Sequence, residues 1–262
     1  MISFVGAGPG APDLITLRGR DRLGAADVVI WASSLVPEAL LAHTRPGASI
    51  HDSKTMTLED VLAVYAAHPD AAIVRLHSGD PSVYGAIQEQ IDWCLENERD
   101  FEIVPGVSSM AAAAALVGRE LTIPQVSQSV VMTRSAGRTS ASMPSRESVA
   151  SFSAIGATMA VFLSGARPVE LQNELLASGS AYTSETPAAV VVRASWPDER
   201  VVMTTVGRLA ESIKAAGART TVLVLVGPAL EGVAARSHLY SPSFAHQFRR
   251  RSKPGTTAGR PA

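Results

Sequence analysis

Short apolar runs and one-sided helical patterns alternate along the first half of the chain. Four runs of four or five residues predict strands, and the run VVIW is continuously apolar, which is typical of a strand buried on both faces. They cover Ile2–Gly6, Val28–Trp31, 73–76 and Phe101–Val104. Helical patterns over 17–24, 58–68 and 86–98 separate the runs, and Thr57 with Asp60 three residues later is typical of a capped helix start.

The second half has strands that follow each other more directly. After a break rich in glycine and proline at 118–125, apolar runs predict strands over 130–133, 160–163, 188–193, 201–204 and Val222–Val226, with helices over 169–177 and 206–216. The polar stretch 135–151 predicts a loop. Only a short WPDE turn separates strands 188–193 and 201–204, which indicates a hairpin and therefore a mixed sheet.

These elements predict an α/β protein of two α/β domains with a cleft between them. We place the domains at 1–121 and 122–248, followed by a basic tail over 249–262 whose composition is typical of disorder. Ser108 is the expected N-cap of an alanine-rich helix that ends at Val117. Its small side chains indicate that the other domain or a ligand approaches it closely.

Composition excludes several classes of protein. The chain has 262 residues, 46% of them hydrophobic, with a formal net charge of −1 and only 5% aromatic residues, which argues against a nucleic-acid-binding protein. The single cysteine, Cys94, excludes an internal disulfide and a cysteine-clustered metal site, and the six histidines lack metal-ligand spacing, so we predict no metal. Without a basic leader or an apolar run of about 18 residues, a cytoplasmic protein without membrane contact is expected.

The glycine-rich or aromatic turns stand where predicted strands end. In open α/β folds, ligands bind in the crevice outside the carboxyl ends of strands. Few charged residues accompany these turns, so they predict a mostly organic ligand held by backbone. The turns read VGAGPGAPDLIT (5–16), HSGDPSVYG (77–85), VPGVSS (104–109), FLSGAR (162–167) and VRASWPDER (192–200).

The first turn also satisfies the dinucleotide fingerprint through Gly6, Gly8 and Ala11. Pro9 and Pro12 interrupt the segment where a helix should start on a pyrophosphate, and no carboxylate follows the second strand to bind a ribose. We therefore favour a tight loop that brings backbone near a substrate, with an NAD(P)-dependent oxidoreductase as the alternative from another class.

Three polar side chains in these turns are candidate catalytic groups. Asp13 is the charged residue of the first loop, Asp80 follows the predicted strand 73–76, and Tyr84 offers a phenol near the cleft. Each could orient a substrate or accept a proton. For Asp80 the alternative is that it only caps the next helix.

The turns, in this order and over nearly the whole chain, resemble those of the tetrapyrrole methylases, a family of S-adenosylmethionine-dependent enzymes. The segments SQSVVMTR (127–134), PAAVVVRASWPDERV (187–201) and LYSPSFAHQFR (239–249) narrow the resemblance to the enzymes that methylate carbon 11 of precorrin-4 in cobalamin biosynthesis. The resemblance implies two domains, S-adenosylmethionine between them, a tetrapyrrole substrate and a homodimer. The absence of a nucleic-acid or membrane partner is expected from the composition and the lengths of the apolar runs.

The resemblance also implies roles for individual residues. Pro9 would face the reaction centre, and Ala194 would border the adenine with its backbone. Further cofactor contacts would come from Ser78, Gly79, Asp80, Val83, Ser108, Ser109, Ser164 and Thr221, with Thr220 as an alternative to Thr221. Because the substrate carries several carboxylates, we expect arginines to bind it, and the candidates near loop ends are Arg119, Arg134, Arg138 and Arg193.

Other functions stay open at this point. A methylase of another precorrin ring carbon or of cobalt-precorrin-4 would share the same loops. A binding module that keeps the cleft without catalysis would also share them.

Overall fold

Within residues 1–135, 140–232, 237–241 and 244–249, which a computed structural model of the chain describes, ten strands form two five-stranded sheets. The first sheet is entirely parallel and has the order β3-β2-β4-β1-β5. Its strands are β1 (Ile2–Gly6), β2 (Val28–Trp31), β3 (Ser49–Asp52), β4 (Ile73–His77) and β5 (Phe101–Val104). The predicted α/β fold class is therefore confirmed for this half.

The second sheet is mixed, as the sequence predicts, and has the order β6-β7-β10-β8-β9. Strands β6 and β7 are parallel, whereas β10 runs antiparallel to both of its neighbours and β8 and β9 form the expected antiparallel hairpin. The strands are β6 (Val130–Arg134), β7 (Thr158–Phe162), β8 (Pro187–Val192), β9 (Arg200–Thr205) and β10 (Val222–Val226).

The α-helices connect the strands and cover the sheets. They are α1 (Leu17–Ala25), α2 (Leu58–Ala67), α3 (Gln88–Glu96), α4 (Ser109–Val117), α5 (Val149–Ser153), α6 (Pro168–Leu175) and α7 (Leu209–Ala215). Helix α2 begins with the predicted capping box: the Thr57 hydroxyl accepts from the Asp60 amide, and the Asp60 carboxylate accepts from the Thr57 amide at 2.8 Å.

Two elements were not predicted from the sequence. Strand β3 reads SIHD and is mostly exposed, so it lacks the apolar run that identifies its neighbours. It belongs to the sheet because its backbone pairs with β2, from Val28 opposite Ser49 to Trp31 opposite Asp52. Helix α5 begins inside the polar stretch that predicted a loop, and Ser148 caps it by accepting from the Ser151 amide.

Helix α4 packs against the second sheet. Ala112 and Ala113 are buried in one apolar cluster with Ala160, Ala189 and Leu223, which lie on β7, β8 and β10. Small side chains on both surfaces let the helix backbone approach the sheet closely. The second sheet thus makes the close approach to α4 that the small side chains of this helix predict. The domain boundary at 121/122 stays a prediction, and residues 250–262 of the predicted tail lie outside the described residues.

None of the helices in the described ranges is both long and apolar enough to cross a membrane. Cys94 is fully buried, in the apolar cluster that fills one face of the first sheet, as its sequence context predicts.

The end of β4 carries a buried histidine. His77 is only 7% exposed, and its Nε2 has no hydrogen-bond partner among the described residues. Burial, followed by the nearby Arg75 guanidinium, lowers the pKa of His77 from its ordinary 6.5 to about 3. The imidazole is therefore neutral in the folded protein at neutral pH.

This burial predicts an acid sensitivity. Between pH 6.5 and about 3 the unfolded chain binds a proton at His77 that the folded chain does not, so stability falls as the pH falls through this window. The loss from this group is about 2 kcal/mol by pH 5. We expect His77→Phe, which cannot titrate, to reduce the difference in urea unfolding free energy between pH 7 and pH 5 by about that amount. An unchanged difference contradicts the assignment. His43→Phe, at an exposed position, is the matched control.

Candidate functional site

Three loops of the first sheet meet at one edge because β1, β4 and β5 are adjacent and parallel. The Gly79 amide donates to the Gly8 carbonyl at 2.8 Å, which joins the first two loops. A Cβ on Gly106 would lie 2.0 Å from the Gly79 carbonyl oxygen, and one on Gly6 would lie 2.5 Å from the Gly106 Cα. The loops therefore touch backbone to backbone, and a side chain at these positions has no room.

Asp80 fastens two of these loops together. One carboxylate oxygen accepts from the Ser82 amide at 2.8 Å, and the other accepts from the Gly106 amide at 2.9 Å. Helix α3 begins only at Gln88, so Asp80 does not cap it. Its carboxylate holds the site together, which is the geometry of an orienting group rather than of a free base.

The second sheet contributes a matching group of loops. Because β10 is antiparallel to β7 and β8, its first residues lie beside the carboxyl ends of those two strands. The Arg193 amide donates to the Thr221 carbonyl at 2.9 Å. Ser164 is fully buried, and its hydroxyl lies 3.1 Å from the Val222 carbonyl oxygen, to which it donates. That side chain is therefore turned toward the protein itself.

Three contacts join the two groups of loops. The rings of Tyr84 and Phe162 meet edge to face with 5.3 Å between centroids. The indole Nε1 of Trp196 donates to the Pro9 carbonyl at 3.0 Å, and the Ala11 amide donates to the Ser195 hydroxyl at 2.9 Å. The turns that the sequence singled out thus form one site between the sheets.

Backbone strain is concentrated in the same loops. In the described part of the chain, eight non-glycine residues have positive φ, and six of them lie in these loops. Each costs about 1–3 kcal/mol and persists where surrounding contacts hold it, which is a feature of functional sites. The six are Tyr84, Ala86, Leu163, Arg193, Ser195 and Thr221.

The remaining residues expected to contact the cofactor lie in or beside the same loops. Ser78 and Val83 are half-buried in the loop after β4. Ser108 caps α4 by accepting from the Met110 amide at 3.3 Å, as predicted. The amide nitrogen of Ser109 lies 3.8 Å from the position that a Cβ would take on Gly79. The start of α4 therefore faces the Gly79 backbone at close range, and the atoms nearest to that Cβ position are backbone atoms.

The arginine candidates have different surroundings. Arg119 is exposed and donates from Nε to the Leu230 carbonyl at 3.1 Å, at the far end of α4 from the loops. Arg134 donates to the Ser142 hydroxyl at 2.9 Å. Arg193 donates to Asp198 at 2.7 Å and lies over the Trp196 ring. Arg138 lies outside the described residues.

Tyr84 and Asp13 differ in what they can do chemically. Burial, as the largest cause, raises the pKa of Tyr84; nearby Glu147 also raises it, whereas Arg134 lowers it. The phenol is therefore protonated at neutral pH and suits a donor or orienting role. Asp13 is exposed and lies in a short 3-10 turn, Pro12–Leu14.

A cavity of about 840 Å³ opens beside the first loop. None of the ten expected cofactor-binding residues lines this cavity, whereas Asp13 and Arg193 both do. Its volume suits an organic ligand. The lining residues are Gly10 to Leu14, Pro37, Ala39, Arg193 and Ser195 to Glu199.

Sequence reasoning did not select Phe162, Ser195 or Trp196 as site residues. The sequence did contain a signal for Trp196. A tryptophan in the polar turn RASWPDER lies outside the predicted strands and helices, which indicates that it packs against another part of the protein. Among the described residues, no group of three or more histidine, cysteine, aspartate or glutamate side chains is placed to bind a metal.

Residues 1–210 match the model of the tetrapyrrole (corrin/porphyrin) methylases. The chain belongs to this family. Two relatives are each 44% identical over 255 residues: the cobalt-precorrin-4 C(11)-methyltransferase of Methanocaldococcus jannaschii and the precorrin-4 C(11)-methyltransferase of a Sinorhizobium species. The alignments cover 96% of the chain and 97% and 99% of these relatives.

Solved structures of this methylase family have the same fold. A cobalt-precorrin-4 methyltransferase of cobalamin biosynthesis superposes with a TM-score of 0.83 at 40% identity, covering 87% of this chain and 95% of that one. A uroporphyrin-III C-methyltransferase from Thermus thermophilus, solved with S-adenosylhomocysteine, gives a TM-score of 0.72 at 29% identity, covering 88% and 99%.

The contact between the glycine loops predicts which glycine cannot be replaced. We expect Gly106→Ala to lower the free energy of unfolding by about 2–3 kcal/mol, because its Cβ would collide with backbone that cannot move aside. Gly24→Ala is the control: it lies in α1, and its Cβ would meet nothing closer than a carbonyl oxygen at 3.4 Å. The control should be neutral or stabilising by about 0.5–1 kcal/mol. Urea denaturation measures both, and equal stabilities would disprove the close packing.

Proposed function

We propose that this methylase transfers a methyl group from S-adenosylmethionine to carbon 11 of precorrin-4, giving precorrin-5 and S-adenosylhomocysteine. The observation that carries the proposal is the 44% identity to the Sinorhizobium precorrin-4 C(11)-methyltransferase over nearly the full length of both chains. The Methanocaldococcus relative, named for the cobalt-containing substrate, is equally similar, so cobalt-precorrin-4 is the second candidate substrate.

The loops at the strand ends have features that suit the binding of the methyl donor. Gly79 lies beside the N-terminus of α4: a Cβ at this glycine would be 3.8 Å from the Ser109 amide nitrogen. A helix N-terminus favours a carboxylate, such as that of the donor's amino-acid end. We place that end against Ser78, Gly79 and Asp80, and the adenine beside the Ala194 backbone.

The other expected contacts complete this pocket. The Thr221 carbonyl accepts from the Arg193 amide in the turn that contains Ala194, which supports a position for Thr221 on the adenine side. Val83, Ser108 and Pro9 border the pocket from the first sheet. Ser164, whose hydroxyl is used within the protein, would contribute shape rather than a hydrogen bond.

The chain's own groups then have to position the reacting carbon and exclude water. S-adenosylmethionine, when bound, supplies an electrophilic methyl group, and the ring carbon is an enamine-like nucleophile, so a covalent enzyme intermediate is not required. Alignment of two bound reactants can supply most of the rate. Tyr84, as a neutral phenol, and Asp80 would orient, and Asp13 is the candidate proton acceptor.

Arginines would bind the substrate's carboxylates. Arg193 lines the 840 Å³ cavity together with Asp13, and Arg134 lies close enough to Tyr84 to influence its pKa. We therefore propose these two arginines as substrate contacts. A cytoplasmic homodimer without nucleic-acid or membrane partners completes the proposal.

The direct test is incubation with methyl-labelled S-adenosylmethionine. Precorrin-4 and cobalt-precorrin-4 are supplied in parallel, the tetrapyrrole is analysed by mass spectrometry, and the labelled carbon is assigned by NMR. We expect one labelled methyl group on carbon 11. A label on another carbon would identify a different ring methylase. Binding of S-adenosylhomocysteine without turnover would indicate a binding module, and binding of NADH in its place would indicate an oxidoreductase.

The substrate arginine makes a separate prediction. Arg134→Ala should raise the KM for the tetrapyrrole about tenfold or more, since a charge-assisted hydrogen bond to a carboxylate contributes about 1.5–3 kcal/mol. The dissociation constant for S-adenosylhomocysteine, measured by calorimetry, should stay within about twofold because the donor lies elsewhere.

Arg20→Ala is the matched control for Arg134→Ala. Arg20 is an exposed arginine of α1 that pairs with the adjacent Asp21. An Arg134 variant whose KM equals that of the Arg20 variant would remove Arg134 from the site.

A further inference from the structure

We propose that the turn between β8 and β9, residues 193–199, is a latch that sets the position of the first loop, and that Trp196 is a positioning residue for methyl transfer. The inference rests on the proposed function and adds a role for Ser195 and Trp196, which are not among the donor and acceptor contacts described above. The latch joins the second sheet to the loop in which Pro9 lies.

Two hydrogen bonds hold the first loop on either side of Gly10. The Trp196 indole donates from Nε1 to the Pro9 carbonyl at 3.0 Å. The amide of Ala11 donates to the Ser195 hydroxyl at 2.9 Å. Because both partners are neighbours in the latch, they fix the position and the rotation of this short stretch of loop together.

The indole also packs against Gly10, between these bonds. A Cβ on Gly10 would be 2.3 Å from Trp196 Cδ1 and 2.5 Å from Nε1. Glycine is therefore required at position 10 by Trp196, a residue almost two hundred positions away. The requirement is steric and does not depend on a phosphate-binding role for the loop.

Contacts among its own residues stabilise the conformation of the latch. The Arg193 guanidinium carbon lies 4.1 Å from the centroid of the Trp196 ring, and Arg193 Nε donates to Asp198 at 2.7 Å. The Ser195 amide donates to the Glu199 carboxylate at 2.8 Å. Arg193 and Ser195 both have positive φ, so these contacts maintain a backbone conformation that side-chain-bearing residues rarely adopt.

This arrangement couples the two substrates' sites. Ala194, which we place beside the donor's adenine, lies in the same turn between Arg193 and Ser195. The turn that borders the donor therefore also positions Pro9, which would face the reaction centre. A displacement of about 1 Å between reacting groups can lower a rate about a hundredfold, so the latch should affect turnover more than donor binding.

The first experiment removes the indole hydrogen bond and keeps an aromatic ring. We expect Trp196→Phe to lower kcat about tenfold, with the dissociation constant for S-adenosylhomocysteine within about twofold of the wild type. Trp93→Phe is the matched control, because Trp93 packs against Tyr65 in the core on the far face of the first sheet. A kcat for Trp196→Phe equal to that of Trp93→Phe would overturn the proposal.

A double-mutant cycle tests the steric part of the latch. Gly10→Ala should lower kcat strongly in the wild type and change it little in a Trp196→Ala background, where the indole is gone. Equal effects of Gly10→Ala in both backgrounds would show that Trp196 does not impose the glycine.

A third measurement is independent of the proposed reaction. Hydrogen exchange at the Ala11 amide should be slow in the wild type and at least about tenfold faster in Trp196→Phe, because the flanking bond is lost. Unchanged exchange would overturn the latch even where methyl transfer is found. Faster exchange in Trp196→Phe than in a wild type that transfers no methyl group would reject the proposed function and leave the latch in place.

Discussion

The structure depends on direct contact between the backbones of three loops. Gly6, Gly79 and Gly106 follow or end adjacent parallel strands. A methyl group on Gly6 or on Gly106 would collide with the Gly79 carbonyl oxygen, at 2.7 and 2.0 Å. Because side chains have no room at Gly6 and Gly106, the loops meet here through their amides and carbonyls. Asp80 keeps this surface together by accepting from the Gly106 amide.

The second sheet completes that surface through its mixed topology. If β10 were parallel to β7 and β8, Thr221 would lie at the opposite end of the sheet from Ala194. The antiparallel direction places the start of β10 beside the ends of its neighbours. Helix α4 then joins the halves: its first residues face Gly79, and its alanines pack on β7, β8 and β10. One helix therefore fixes the distance between the two groups of loops.

The polar candidates show where reasoning from the sequence reached its limit. Asp80, Ser164 and Arg119 all stand near strand or helix ends in turns typical of binding sites. In the folded chain their hydrogen bonds go to Gly106, Val222 and Leu230, which are 26, 58 and 111 positions away. A residue type and its local context indicate that a group can bind a ligand. Residue type and local context do not indicate that the group already forms a hydrogen bond with a carbonyl or amide far away in the sequence.

The sequence by itself determined nine of the ten described strands, the capped starts of α2 and α4, the hairpin, the strand-end position of the glycine turns and the resemblance to the family. These features follow from neighbouring residues, since burial on both faces and helix capping are local patterns. Only the tertiary structure decided that β3 joins the sheet through its backbone, that α4 covers the second sheet and that Trp196 meets Pro9 across 187 positions. Such contacts depend on how two separately patterned halves pack together, and no local pattern encodes that.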